Sequence, residues 1–179
     1  GNITQPDGTK ISQADLARMM VGKDVLGVNV YKEHEIGEVI LEVRDLTVDT
    51  RVKGVSFDLH RGEILGFTGL LGDGKEELVR AIFGDLRKTS GTVKLKGKTL
   101  NLKHPAQGKK HGIGFLPSNR KENAIIKDLS VQENTTIVTL EKYCVGPTLL
   151  PSRERKMAET YRDKLGIKDA NLKNKITSL

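Results

Sequence analysis

Residues 66–79 read GFTGLLGDGKEELV, and the fold turns on them. Gly69, Gly74 and Lys75 stand at the G-x-x-x-x-G-K spacing of a glycine loop that wraps phosphates, with Glu76 where that loop carries Ser or Thr. Such a loop works because successive backbone N–H groups point into one concavity at a helix N-terminus, where the helix dipole adds to their pull on an anion. The flanks supply the required context. GEILGFTG, residues 62–69, is a compact apolar run ending in glycine and predicts a buried strand; KEELVRAIFG, residues 75–84, puts Leu78, Val79, Ile82 and Phe83 on one helical face. The candidate nucleotide-binding set is therefore Gly69, Leu70, Gly72, Asp73, Gly74, Lys75 and Glu76, with Lys75 reaching the β- and γ-phosphates. A dinucleotide fingerprint G-x-G-x-x-G begun at Gly72 fails, because its third glycine falls on Glu77.

Glu76 admits two readings. A carboxylate ~4 Å from a phosphate charge repels it by ~1 kcal/mol in water and ~4 kcal/mol at an effective dielectric of 20. Alternatively it ligates Mg²⁺ itself, and the penalty is offset. Asp73, a second negative charge in the loop, favours the weakened site. Hydrolysis further needs a metal-binding Asp at the end of a buried strand and a group that orients water. Neither is found: GIGFL, read as a buried strand, ends at Pro117 and Ser118, and Asp45 precedes the loop on a strand that alternates like an exposed one. No catalytic residue and no fixed metal ligand is assigned, and the chain alone is not expected to hydrolyse ATP.

The rest of the composition narrows the class. In 179 residues, 36% are hydrophobic and 30% charged, which is ordinary globular composition and excludes disorder as the overall answer. No apolar run approaches the roughly eighteen residues that span a bilayer, and GNITQPDGTK lacks the build of a signal peptide, so a soluble, unexported chain is expected. The net charge of +7 would suit nucleic acid, but the lysines are scattered and an aromatic content of 4% makes a poor stacking surface. A basic nucleic-acid-binding domain is thus a remote reading resting on charge alone. The single Cys144 has no partner for a disulfide, and the histidines lack metal-ligand spacing.

Along the chain, residues 1–37 read as a separate piece: a helix over ISQADLARMMVG with Ser12 as N-cap and Leu16, Met19 and Met20 inward, then a linker. From residue 38 the pattern changes. EVILEVRDLTV and VKGVSFDLH alternate and predict antiparallel neighbours, SGTVKLKGKTLNLK a hairpin about Gly97, and HGIGFLPSNR a buried strand ending at Pro117. Ser130 and Glu133 have capping-box spacing. A last helix through SRERKMAETYRDKLG turns Met157, Tyr161 and Leu165 inward and stops at Gly166.

In order and spacing, GEVILEVRDLTV, GVSFDLHRGEILGFTGLLGDGKEELVRAIFG, SGTVKLKGK, HGIGFLPSNRK and DLSVQENTTI resemble an ATP-binding-cassette domain. They are similar in particular to the second cassette of the double-cassette ATPases that energise bacterial monosaccharide importers of the ribose and galactoside type. That resemblance implies an α/β P-loop NTPase core with an antiparallel β-subdomain and part of the helical subdomain. Residues 1–37 would be the end of a preceding cassette with its linker, and 38–179 the N-terminal part of the second nucleotide-binding domain. NKITSL would lead into the Leu-Ser-Gly-Gly signature, with Leu179 as its first residue. The resemblance further implies ATP and Mg²⁺ as cofactors, a peripheral place on the cytoplasmic face of the cell membrane, and no nucleic-acid partner. Its partners would be a first cassette in the same polypeptide, membrane permease subunits and, indirectly, a periplasmic or lipid-anchored sugar-binding protein. Departures from the family pattern are the lack of an aromatic between Val48 and Gly54 and a Ser118 where cassettes carry Gln or Glu, a hydroxyl read as too short to reach a metal. Ser118, Arg120 and Lys121 fall where a cassette faces its permease. A regulatory cassette that binds nucleotide weakly is the alternative within the same family.

Overall fold

In the computed structural model the described residues are 11, 12, 15, 16, 19, 20, 35–167 and 171–178. Strands β1 (Val39–Val48) and β2 (Val52–His60) pair antiparallel, as their alternation predicts; β3 (Ser90–Leu95) pairs with the other edge of β1, and β4 (Lys98–Thr99) closes the hairpin about Gly97. The sheet order is β2-β1-β3-β4. One detail escapes simple alternation. Leu41 and Val43 are buried, and then so are Leu46 and Val48, because a bulge at Arg44 and Asp45 shifts the phase by one residue. Asp45 takes φ +48° there, and its N–H donates to Ser56 Oγ at 2.8 Å. β3 crosses the bulge at Gly91, φ +86°, where a Cβ would lie 2.4 Å from the Asp45 carbonyl oxygen. Only glycine allows that approach.

Helix α1 (Lys75–Phe83) lies on the inner face of this sheet: Leu78, Ala81 and Ile82 pack with Leu41, Val43, Leu46, Val48, Val52, Val93 and Leu100 in one core. Gly84, in the left-handed region, ends it by donating to the carbonyls of Ala81 and Arg80. Phe83 stacks on Phe115 with ring centroids 5.5 Å apart, which draws residues 113–118 alongside α1. Helix α2 (Pro105–Lys110) follows, and Lys109 Nζ donates to the Val138 carbonyl and to Glu141, tying it to the helical part of the chain.

That part consists of α3 (Arg120–Asn123), α4 (Val131–Thr136), a 3₁₀ turn over Ile137–Tyr143, the two-stranded hairpin β5 (Cys144–Val145) and β6 (Thr148–Leu149), and α5 (Pro151–Leu165). The capping box is formed: Ser130 Oγ accepts from the Glu133 N–H, and the Glu133 carboxylate accepts from the Ser130 N–H. Val131, Ala158 and Leu172 make a second, small core.

Three expectations are corrected. Residues 62–69 and 112–117 belong to no strand; Ile64 is 90% and Leu116 79% exposed. A parallel strand is held by ladders on its neighbours, and among the described residues none pairs with either segment. In α5, Glu154 and Ala158 are the buried residues, whereas Leu165 is 71% exposed and Tyr161 also lies open. The inward place is taken by the Glu154 carboxylate, which accepts from Thr136 Oγ1 at 2.7 Å and Gln132 Nε2 at 3.1 Å, so a hydrogen-bonded acid outcompetes the apolar stripe. Ser12 does accept from the Asp15 N–H at 3.1 Å, but Met19 and Met20 are exposed, and no described residue covers them. Gly22 and most of the linker lie outside the described residues.

Candidate functional site

The glycine loop sits between the exposed end of residues 62–69 and the first turn of α1. Phe67 anchors its approach by packing edge-on against Phe57 of β2, with centroids 5.1 Å apart and rings inclined at 73°. Gly74, φ +97°, is the N-cap of α1 and offers no side chain to cap the N–H groups of the first turn. Its place against the β1–β2 turn is tight, since a Cβ there would meet the Arg51 carbonyl oxygen at 3.0 Å. Arg51 also forms an ion pair with Glu77. Glu77 is held below the usual carboxylate range by its own backbone N–H and by Arg51. The turn is thereby fastened to the helix start.

Within the loop, Lys75 folds back. Its Nζ donates to the Leu70 carbonyl at 2.8 Å and to Asp73 Oδ1 at 2.7 Å, and its N–H reaches the same Oδ1 at 3.3 Å. The Lys75 ammonium holds the Asp73 carboxyl below its ordinary range. Glu76 turns to the other wall, where Ser118 Oγ donates to its Oε2 at 2.7 Å. Between these walls lies an open cleft of about 620 Å³, bordered by Arg51, Phe67, Gly72, Lys75, Phe115 and Ser118.

Of the residues singled out in the sequence, Gly72, Asp73, Gly74, Lys75 and Glu76 all border this cleft, and Ser118 joins them from the segment after Pro117. Gly69 lies beneath the Asp73 carboxylate, and Leu70 contributes its carbonyl to Lys75 while its side chain is 84% exposed. Arg120 and Lys121 stand apart on α3, exposed and without a side-chain ion pair among the described residues. Sequence reasoning missed Arg51, Phe67 and Phe115. An Arg in the turn that replaces the missing aromatic was the available signal for Arg51; the two phenylalanines reach the cleft through ring packing that spacing does not encode.

A glycine loop at the N-terminus of a helix packed on an antiparallel sheet is the architecture of an ATP-binding cassette. The structure of the dimeric cassette MJ0796 in a post-hydrolysis state with ADP and Pi is similar to this chain, with a TM-score of 0.65 over 78% of this chain and 63% of that one. The cbiO1 protein of Clostridium perfringens is similar at 0.56 over 76% and 53%. At 19% and 22% identity these likenesses speak for the fold alone. The chain belongs to the ABC transporter family, whose model matches residues 52–179. It is 37% identical to the ribose import ATP-binding protein RbsA 3 of Rubrobacter xylanophilus over 95% of this chain and 34% of that protein. To the ribose import ATP-binding protein RbsA of Clostridium perfringens it is 38% identical over 94% and 34%. The chain thus spans about a third of the length of the curated relatives it matches.

Proposed function

We propose that this chain is part of the ATP-binding subunit of an ABC transporter that imports simple sugars, coupling ATP binding and hydrolysis to permease movement. The observation that carries the proposal is the convergence of Gly72, Asp73 and Gly74 of the loop, Lys75 and the start of α1 on one open cleft. In this reading Gly69, Leu70, Gly72, Asp73 and Gly74 shape the phosphate cradle, Lys75 neutralises the terminal phosphates, and the helix start adds its dipole.

The residues present fit Mg²⁺. The ion takes oxygen ligands and is commonly held by one or two carboxylates together with phosphates; Glu76 offers a carboxylate beside the loop, and the Ser118 hydroxyl 2.7 Å away orients it. The ion would neutralise phosphate charge there. Glu76 would bind it and Ser118 would set the rotamer of Glu76. Arg120 and Lys121, exposed on α3 beyond Ser118, would contact the permease, so that a change at Glu76 is felt at that surface. The wider assembly would comprise a first cassette in the same polypeptide opposite this loop, permease subunits, and a sugar-binding protein reached indirectly. Its place is peripheral, on the cytoplasmic face of the membrane.

Calorimetric titration of ATP with Mg²⁺ into this chain and into Lys75→Ala tests the reading. Micromolar binding that disappears in the variant is expected. Equal binding by both would remove the loop from the site.

A further inference from the structure

We propose that Asp73 is a resident anion of the glycine loop, a carboxylate that holds Lys75 in the place of a phosphate and so sets the affinity of the loop for nucleotide. This deepens the reading above and rests on it. Three contacts define the arrangement. Oδ1 of Asp73 takes both the Lys75 ammonium, at 2.7 Å, and the Lys75 backbone N–H, at 3.3 Å. Oδ2 fills the space against Gly69: a Cβ built there would lie 1.6 Å from it. The Leu70 carbonyl, 2.8 Å from Nζ, completes the shell around the ammonium. The two donors of Lys75 that an incoming phosphate would use are both already engaged by an anion that belongs to the loop itself.

The other charged groups at the cleft are engaged elsewhere. Arg51 pairs with Glu77, and Glu76 accepts from Ser118. Asp73 and Lys75 are each about one-third exposed, so the pair is reachable from the cleft and partly shielded from water. A nucleotide entering the loop must part Asp73 from Lys75, after which the freed carboxylate faces the phosphates. Both steps oppose binding. An aspartate is ionised at neutral pH whether or not Lys75 is beside it, so the opposition persists across the physiological pH range. The glycine at position 69 then has a specific use: with any larger residue the carboxylate could not lie where it does.

The test is titration of ATP, with and without Mg²⁺, into the full chain and into Asp73→Asn and Asp73→Ala, with Lys75→Ala alongside. Asp73→Asn keeps the shape of the loop, and Asp73→Ala guards against an amide that simply replaces the hydrogen bonds. Tighter metal-free ATP binding by about tenfold in both Asp73 variants is the expected result, the factor that removing one unit of charge repulsion at contact distance supplies. Unchanged affinity in both, with binding still lost in Lys75→Ala, would overturn the resident-anion proposal and leave the phosphate-loop reading standing. Loss of Mg²⁺-dependent binding in the Asp73 variants would overturn it in favour of a metal ligand. No binding by any of the four proteins would remove the phosphate loop and this proposal together.

Discussion

Ser118 Oγ donates a 2.7 Å hydrogen bond to Glu76 Oε2 across 42 residues of sequence. The contact joins the first turn of α1 to the segment that leads into α3, and it pairs two of the positions that the sequence reading sets apart from the cassette pattern. Where a hydroxyl would be expected there is a carboxylate, and where a long polar side chain would be expected there is a hydroxyl.

If Glu76 holds Mg²⁺, Glu76→Ala abolishes the gain in ATP affinity that Mg²⁺ provides. Ser118→Ala, which leaves the carboxylate but frees its rotamer, reduces that gain by about tenfold, the lower end of what losing an orienting partner costs a metal site. Titration at several Mg²⁺ concentrations measures both. A Mg²⁺ response in Glu76→Ala equal to that of the parent chain would exclude the carboxylate as ligand.

In the helical part, Thr136 is fully buried, and its hydroxyl faces the Glu154 carboxylate at 2.7 Å. Thr136→Val keeps the shape and removes the donor, leaving a buried oxygen short of a partner. A loss of about 1–3 kcal/mol is expected, read as a lower urea midpoint with an unchanged slope. No change in midpoint would mean that the carboxylate finds another donor.

The capping box offers a local counterpart. Ser130 Oγ satisfies the Glu133 N–H at 3.2 Å, and Ser130→Ala is expected to cost about 1 kcal/mol. Ser130→Asp or Ser130→Asn should recover most of it in the same urea experiment, because either side chain can accept that bond.

Acid should unfold the chain through its paired carboxylates. Asp58 is held low by the hydrogen bond from Arg44, Asp73 by Lys75, Glu133 by the Ser130 hydroxyl and backbone, and Glu141 by Lys109. Each has a folded pKa below its unfolded one. Their stabilisation is therefore complete above the unfolded values near pH ~4 and is lost as pH falls through the folded values. Melting temperature should be level from neutrality to mildly acid solution and fall below that point. Because these groups are exposed or partly exposed, the fall should be smaller in concentrated salt. A decline already under way at neutral pH would assign it to other groups.

The local chemistry of the site is legible in the amino-acid sequence. Glycine spacing, the lysine after it and the amphipathic KEELVRAIF predict a loop and a helix, and α1 begins at Lys75 and stops at Gly84 accordingly. Alternation predicts the β1–β2 pair, because one face of that sheet covers the core. The phase shift at Asp45 was not legible: it depends on Ser56 receiving the Asp45 N–H and on Gly91 passing close by, two partners far along the chain.

What the amino-acid sequence by itself determined, then, is whatever neighbours along the chain decide: the glycine turn and lysine of the loop, the capping box at Ser130, the ending of α5 at Gly166, and the alternation of β1 with β2. These follow from backbone sterics and from hydrogen bonds spanning a few residues. Tertiary structure alone decided that Glu76 meets Ser118, that Asp73 rather than open space faces Lys75, that Glu154 instead of Leu165 turns inward, and that residues 62–69 join no ladder. Each of those outcomes is a competition for a partner, and which partner is within reach is set by the packing of distant segments.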